Sequence, residues 1–142
     1  MKIGIANDHA GYELKLYLHA VLKKEAKLNE LLDYGCHSNI PVDYPDYAKK
    51  VVEAINYNKI SLGILICGSG IGMSMCANRN DKVRAALCYR YEVAIMSRKH
   101  NNANVLVLGA RYLMLTQAKK IVFAFLATQF VGGRHINRIN KI

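Results

Sequence analysis

Leu62-Gly63-Ile64-Leu65-Ile66-Cys67-Gly68-Ser69-Gly70-Ile71-Gly72 decides how this chain folds. The apolar run reads as a buried strand that delivers the Cys67 thiol to its carboxyl end, and the glycine-rich turn opens a helix running to Asn78. Backbone N–H groups at such a helix start suit anions. A thiol beside the positive helix end and its unpaired amides is expected to have a lowered pKa, which favours the thiolate.

Working outward, apolar runs alternate with helical periodicity along the whole chain. The pattern predicts strands over 2–6, 29–34 (the weakest run), 62–67, 83–88 and 104–109, with helices near 12–27, 45–57, 70–79, 89–99 and 115–129. Leu14, Leu18, Val21 and Leu22 form one apolar stripe, and Ala118, Ile121, Val122, Phe125 and Leu126 another. Strands of nearly continuous Ile, Leu and Val imply burial on both faces. The expected fold is therefore α/β, a three-layer αβα sandwich with a five-stranded parallel sheet of Rossmann-like type. In such sheets ligands gather outside the carboxyl ends of the strands.

The 142 residues, 52% hydrophobic and 21% charged, suit a single domain over 1–142. No long apolar leader and no stretch of about 18 apolar residues is present, so a cytoplasmic, non-membrane protein is expected. Cys36, Cys67, Cys76 and Cys88 show no C-x-x-C pair and no zinc-type spacing, which reads as free thiols without a structural metal. The 20 Lys and Arg exceed the 10 Asp and Glu, a formal +10. That balance suits nucleic acid, anionic lipid or a phosphorylated small molecule, but the charges are scattered rather than gathered in one basic arm.

Residues expected near strand ends carry the chemistry. They are Asn7-Asp8-His9-Ala10-Gly11, the Cys67 turn, Lys99-His100-Asn101-Asn102, and Gly109-Ala110-Arg111, joined by the Val42-Asp43-Tyr44-Pro45-Asp46 loop. Together they supply a thiol, imidazoles, carboxylates and a guanidinium that could converge on one crevice. Asp8 reads equally as a helix cap, and Tyr44 as an aromatic packed at a helix entrance. His9 and His100 fall in predicted loops, where function concentrates. His19 and His37 read as ordinary surface or packing residues; Cys36, Cys76, Cys88, Met73 and Met75 read as packing. Arg134-His135-Ile136-Asn137-Arg138, taken alone, reads as a solvated basic tail.

A dinucleotide fingerprint needs a third glycine where Met73 stands, and a P-loop G-x-x-x-x-G-K-[ST] is absent. The strand followed by G-x-G-x-G leaves an S-adenosylmethionine site as a remote alternative, as is a nucleic-acid-binding module. Against that site, the next strand ends in Cys88-Tyr89-Arg90 rather than in an acid to hold a ribose.

Several blocks are more specific in combination. Asn7–Gly11, Val42–Ala48, Gly63–Ser74, Arg84–Cys88, His100–Leu106 and Gly132-Gly133-Arg134-His135 run from end to end. They resemble the signature blocks of the ribose-5-phosphate isomerase B family, which also includes galactose-6-phosphate and allose-6-phosphate isomerases. The resemblance implies aldose–ketose interconversion of a sugar phosphate through an enediolate, most simply ribose 5-phosphate to ribulose 5-phosphate, without metal or organic cofactor.

By that resemblance Cys67 is the base that moves a proton between C2 and C1, and His100 opens the furanose ring. Ser69 stands where many relatives have threonine, so a hydroxyl for proton exchange with the substrate oxygens is retained. The amides of Gly68, Gly70, Ile71 and Gly72 would face the enediolate oxyanion. Asp8, Tyr44 and Asn101 match residues near the sugar. His9, Arg111, Arg134 and Arg138 match phosphate-binding residues, a role for which forked guanidinium donors are well suited. Relatives lacking the cysteine use a glutamate at the position of Met73, so Cys67 and the missing carboxylate agree. The family builds its sites at a dimer interface with arginines from the partner subunit, which implies a homodimer or a dimer of dimers.

Overall fold

The run at 62–67 forms the central strand of a five-stranded parallel sheet, in a computed structural model that describes residues 2–26 and 30–142. In chain order the elements are β1 (Ile3–Asn7), α1 (Tyr12–Lys24), β2 (Leu31–Asp33), α2 (Tyr44–Asn56), β3 (Leu62–Cys67) and α3 (Ile71–Ala77). There follow β4 (Ala85–Leu87), α4 (Tyr91–Asn101), β5 (Val105–Gly109), α5 (Leu115–Ala127) and α6 (Ile136–Ile139). Short 3-10 turns stand at His9–Gly11, Ala110–Tyr112 and Gly133–His135.

Alternating side chains divide the core between the two sheet faces. Ile3, Ile5, Ile64, Ile66, Leu106 and Leu108 meet α1 and α5 through Leu14, Leu18, Ile121, Val122 and Phe125. Ala6, Leu65, Cys67, Val105 and Val107 meet Val51, Val52 and Ile55 of α2 and Met73 and Ala77 of α3 on the other side. All six residues of β3 are buried, as a strand covered by helices on both faces must be. This is the expected three-layer Rossmann-like α/β sandwich.

The strand order β2-β1-β3-β5-β4 was not legible in the sequence. From β1 the chain moves outward to β2, then returns past β1 to lay down β3, so the connections leave the sheet in opposite directions between β1 and β3. A crevice opens outside the carboxyl ends at such a point. Asp8 at the end of β1 and Cys67 at the end of β3 stand on its two sides.

The elements differ from expectation mainly at their ends. Lys27, at the end of the expected first helix, and Asn29, at the start of the expected second strand, lie outside the described residues with Leu28 between them. β4 spans only Ala85–Leu87, although Cys88 N–H still bonds the Val107 carbonyl at 3.0 Å. α4 begins at Tyr91 and runs through Asn101, because Asn102 adopts the left-handed conformation (φ 45°) that ends it. His100 thus lies in the last helical turn rather than in a loop. Met73 is buried, but Met75 is 67% exposed, since two residues along a short surface helix turn the side chain to the opposite face. The basic tail contains α6, which sequence periodicity did not mark. Among the described residues no helix is long and apolar enough to cross a membrane.

Candidate active site

Cys67 ends β3 opposite Gly109 of β5, and its side chain is 4% exposed. The chain then turns through Gly70, whose φ of 81° lies in the left-handed region that favours glycine. A Cβ there would also collide with Leu87 Cδ1. This conformation points the Gly70 N–H at Cys67 Sγ, 3.1 Å away. Ser69 Oγ accepts the Ile71 N–H at 3.2 Å, so its hydroxyl lies against the start of α3.

The expected lowering of the Cys67 pKa is not what this geometry produces. Burial pushes the thiol above its ordinary value and is the largest influence; the amides of Met73 and Gly70 pull it back, the Asp8 carboxylate raises it again, and the Ser69 amide lowers it. Three amides at a seven-residue helix do not offset removing a sulfur anion from water. The resting thiol is therefore protonated at neutral pH.

Four expected residues lie at the same end of the sheet as this thiol. Asp8 is buried; its N–H donates to the Ile66 carbonyl at 3.1 Å, and its Oδ1 accepts the Gly11 N–H at 3.0 Å, so it does cap the first helical turn. His9 Nδ1 accepts the Val42 N–H at 3.1 Å, which ties the loop before α2 to the end of β1 and leaves Nε2 as the protonated nitrogen of the neutral ring. Tyr44, at the start of α2, lies on Gly72, where a Cβ would come within 2.5 Å of its Cζ. Arg111 folds its guanidinium over Gly68, 3.2 Å from an ideal Cβ to Nε, while its N–H donates to the Gly68 carbonyl at 3.0 Å.

The remaining expected residues form a separate cluster. His100 stacks on His135 with ring centroids 4.3 Å apart and planes at 10°. Burial lowers the His135 pKa, and the nearby His100, Arg134 and Arg138 charges lower it further. Asn101 is exposed, and its carbonyl accepts from Arg84 Nε at 3.1 Å, just before β4 begins. Arg98 donates to the Ala103 carbonyl at 2.6 Å, just before β5.

These contacts put the second cluster at the amino ends of the strands. A helix joining parallel strands runs back along the sheet, so the end of α4 lies at the edge opposite Cys67, a separation of roughly 20 Å at the rise of an extended strand. One chain thus gathers Asp8, His9, Tyr44, Cys67, Ser69, the turn amides and Arg111, but not His100, Asn101, Arg134 or Arg138. Convergence of all of them on one crevice of a single chain does not occur. Arg111 parts company with the other arginines, since it belongs to the Cys67 group.

Sequence reasoning missed Tyr89. Its hydroxyl donates to the Ser69 carbonyl at 2.5 Å, and its ring meets Tyr112 edge-on with centroids 6.1 Å apart. The available signal was its place directly after Cys88 at a strand end. Among the described residues no three His, Cys, Asp or Glu side chains come together as metal ligands.

The sequence model of the Ribose/Galactose Isomerase family matches residues 3–142. Ribose-5-phosphate isomerase B of Escherichia coli K12 is 41% identical over 141 residues, covering 99% of this chain and 93% of the relative. A solved ribose 5-phosphate isomerase of Thermotoga maritima aligns with a TM-score of 0.95 at 51% identity, over 99% of this chain and 95% of that one. Ribose-5-phosphate isomerase B of Mycoplasma genitalium, solved with bound ribulose-5-phosphate, aligns with a TM-score of 0.92 at 42% identity, over 99% and 92%.

Proposed function

Since the chain belongs to the ribose/galactose isomerase family, we propose that this isomerase interconverts ribose 5-phosphate and ribulose 5-phosphate, with Cys67 as the carbon base. The observation that carries this reading is the Gly70 N–H on Cys67 Sγ at the carboxyl end of β3, in a turn that Tyr44 meets at Gly72 and Arg111 at Gly68.

The proposed sequence starts at the furanose. His100 protonates the ring oxygen as the anomeric hydroxyl loses its proton, which frees the C1 aldehyde. The Cys67 thiolate takes the proton from C2, and the electron pair moves to make the C1–C2 double bond and a negative O1. The Gly70 and Ile71 amides that the glycine spacing offered for this oxygen are bonded to Cys67 Sγ and Ser69 Oγ, so the reading leaves it to the Gly68 and Gly72 amides; each such donor is typically worth about 3 kcal/mol in the barrier. Ser69 passes the O2 proton to O1, and the Cys67 thiol returns its proton to C1. No net proton and no electron is lost.

His100, Arg134 and Arg138 lie too far from their own Cys67 to touch the same substrate. The reading therefore takes them from a second copy, in a homodimer or dimer of dimers with two sites per dimer. Arg111 and His9 then hold the phosphate from the Cys67 side and Arg134 and Arg138 from the other. Arg134→Ala should raise KM about tenfold or more with kcat little changed, the loss expected for one charge-assisted hydrogen bond to phosphate. An unchanged KM would remove Arg134 from the site.

Four free cysteines fit a reducing, cytoplasmic location. The test of the reaction is an isomerase assay on ribose 5-phosphate, allose 6-phosphate and galactose 6-phosphate side by side, under reducing conditions without added metal. Turnover greatest with ribose 5-phosphate is expected; turnover of none would end the reading.

A further inference from the structure

Tyr89 follows β4 and lays its ring across the end of β5, where its Cε1 stands 3.0 Å from an ideal Cβ on Gly109. Its hydroxyl reaches back to the Ser69 carbonyl. That carbonyl and the Gly70 N–H belong to one peptide group, and the N–H is the donor that reaches Cys67 Sγ at 3.1 Å. A peptide group is planar, so anchoring its oxygen fixes the direction of its N–H. The hydrogen bonds run one way, from phenol to carbonyl and from amide to sulfur, and each strengthens the next.

We propose that Tyr89 is a positioning residue for Cys67, holding the Ser69–Gly70 peptide so that the Gly70 N–H stays on the sulfur and favours the thiolate. The catalytic consequence rests on the reading of Cys67 as the base; the effect on the sulfur does not. Other titratable or charged groups around this turn are Asp8 at the end of β1, Tyr44 at the start of α2, and Arg111 and Tyr112 after β5. Tyr89→Phe leaves them all in place, keeps the ring against Gly109 and Tyr112, and removes only the hydroxyl. Partial burial, with Tyr112 and Cys67 nearby, keeps the phenol protonated to higher pH than usual.

The experiment compares wild type and Tyr89→Phe by the rate of iodoacetamide alkylation at Cys67, located by peptide mass spectrometry across the neutral to alkaline range. The midpoint should rise by about half a pH unit in the variant, slowing modification near neutral pH about threefold. Hydrogen exchange at the Gly70 amide should quicken, while the melting temperature stays close to wild type. With ribose 5-phosphate, kcat should fall about threefold at unchanged KM. An unmoved alkylation midpoint, or unchanged Gly70 protection, would overturn the positioning role even in an active isomerase. A shifted midpoint in a protein that turns over no sugar phosphate would uphold the relay and defeat the proposed reaction instead.

Discussion

Cys67→Ala should lower kcat for ribose 5-phosphate by about a thousandfold while the protein stays folded, as measured by steady-state kinetics beside a thermal melt. A positioned general base contributes typically 10²–10⁴-fold, and on the proposed reading Cys67 is that base. The folding cost is small, because alanine removes one sulfur from a site already lined by the turn backbone. Cys67→Ser should be nearly as inactive, since a hydroxyl in the same buried place ionises far less readily than a thiol.

The same residue sets a pH dependence. Burial holds the Cys67 thiol above its ordinary value, and the form the proposed reaction uses is the thiolate. The ascending limb of kcat/KM against pH should therefore lie on the alkaline side, with activity rising through and beyond neutral pH. A profile already flat from slightly acid pH upward would require a base other than a thiol in this environment.

The second large effect lies in an ion pair behind the site whose lysine is buried and whose carboxylate reaches the surface. Lys15 is 1% exposed, and its ammonium meets Asp33 Oδ2 at 2.7 Å, while Asp33 Oδ1 accepts the Gly35 N–H at 2.9 Å. Asp33→Asn leaves the Lys15 charge buried without its partner, which should cost about 3 kcal/mol and lower the melting temperature by about 10 °C. This is the low end for a broken buried pair, because the Asp33 side chain retains 24% exposure. Adding Lys15→Met to Asp33→Asn should recover most of the loss, since an apolar side chain suits that buried place.

The pair also has a pH signature. Burial pushes the Asp33 carboxyl up, but hydrogen bonds from Lys15 and the Gly35 amide, with the Lys15 and His37 charges, bring it below its ordinary value. A carboxyl lowered in the folded state stabilises the protein above its unfolded value of about 3.9 and loses that contribution as pH falls through the folded value. Wild type should therefore lose stability in acid more steeply than Asp33→Asn. The pair matters to the site because Gly35 packs directly on Asn7, the residue before Asp8.

Much of this architecture was readable because local signals were strong. The unbroken apolar run of β3, the stripes of α1 and α5, and glycines at 68, 70 and 72 each have one physical reading. The strand order and the separation of the two clusters were not readable. His100 and Cys67 both sit near the ends of elements, but one ends a helix and the other a strand, and only the three-dimensional crossing shows that these ends face opposite ways. The Cys67 acidity was misjudged for a related reason. The turn amides could be inferred from glycine spacing, whereas the desolvation that outweighs them depends on Val107, Met73 and the rest of the core around the sulfur. Tyr89 was missed because its contact is with a backbone carbonyl, and its place after Cys88 at a strand end is the one mark the sequence carries of it.

The central claim is a sugar-phosphate site shared between two copies, with Cys67 from one and the Arg134 cluster from the other. The direct measurement is complementation at substrate concentrations below the wild-type KM. Cys67→Ala chains are co-expressed with chains carrying Arg134→Ala and Arg138→Ala, and the mixed protein is assayed on ribose 5-phosphate. Each parent alone should be nearly inactive, and a random mixture should recover about a quarter of wild-type activity, because half of the dimers hold one intact site. Activity no greater than the sum of the two parents would contradict a shared site.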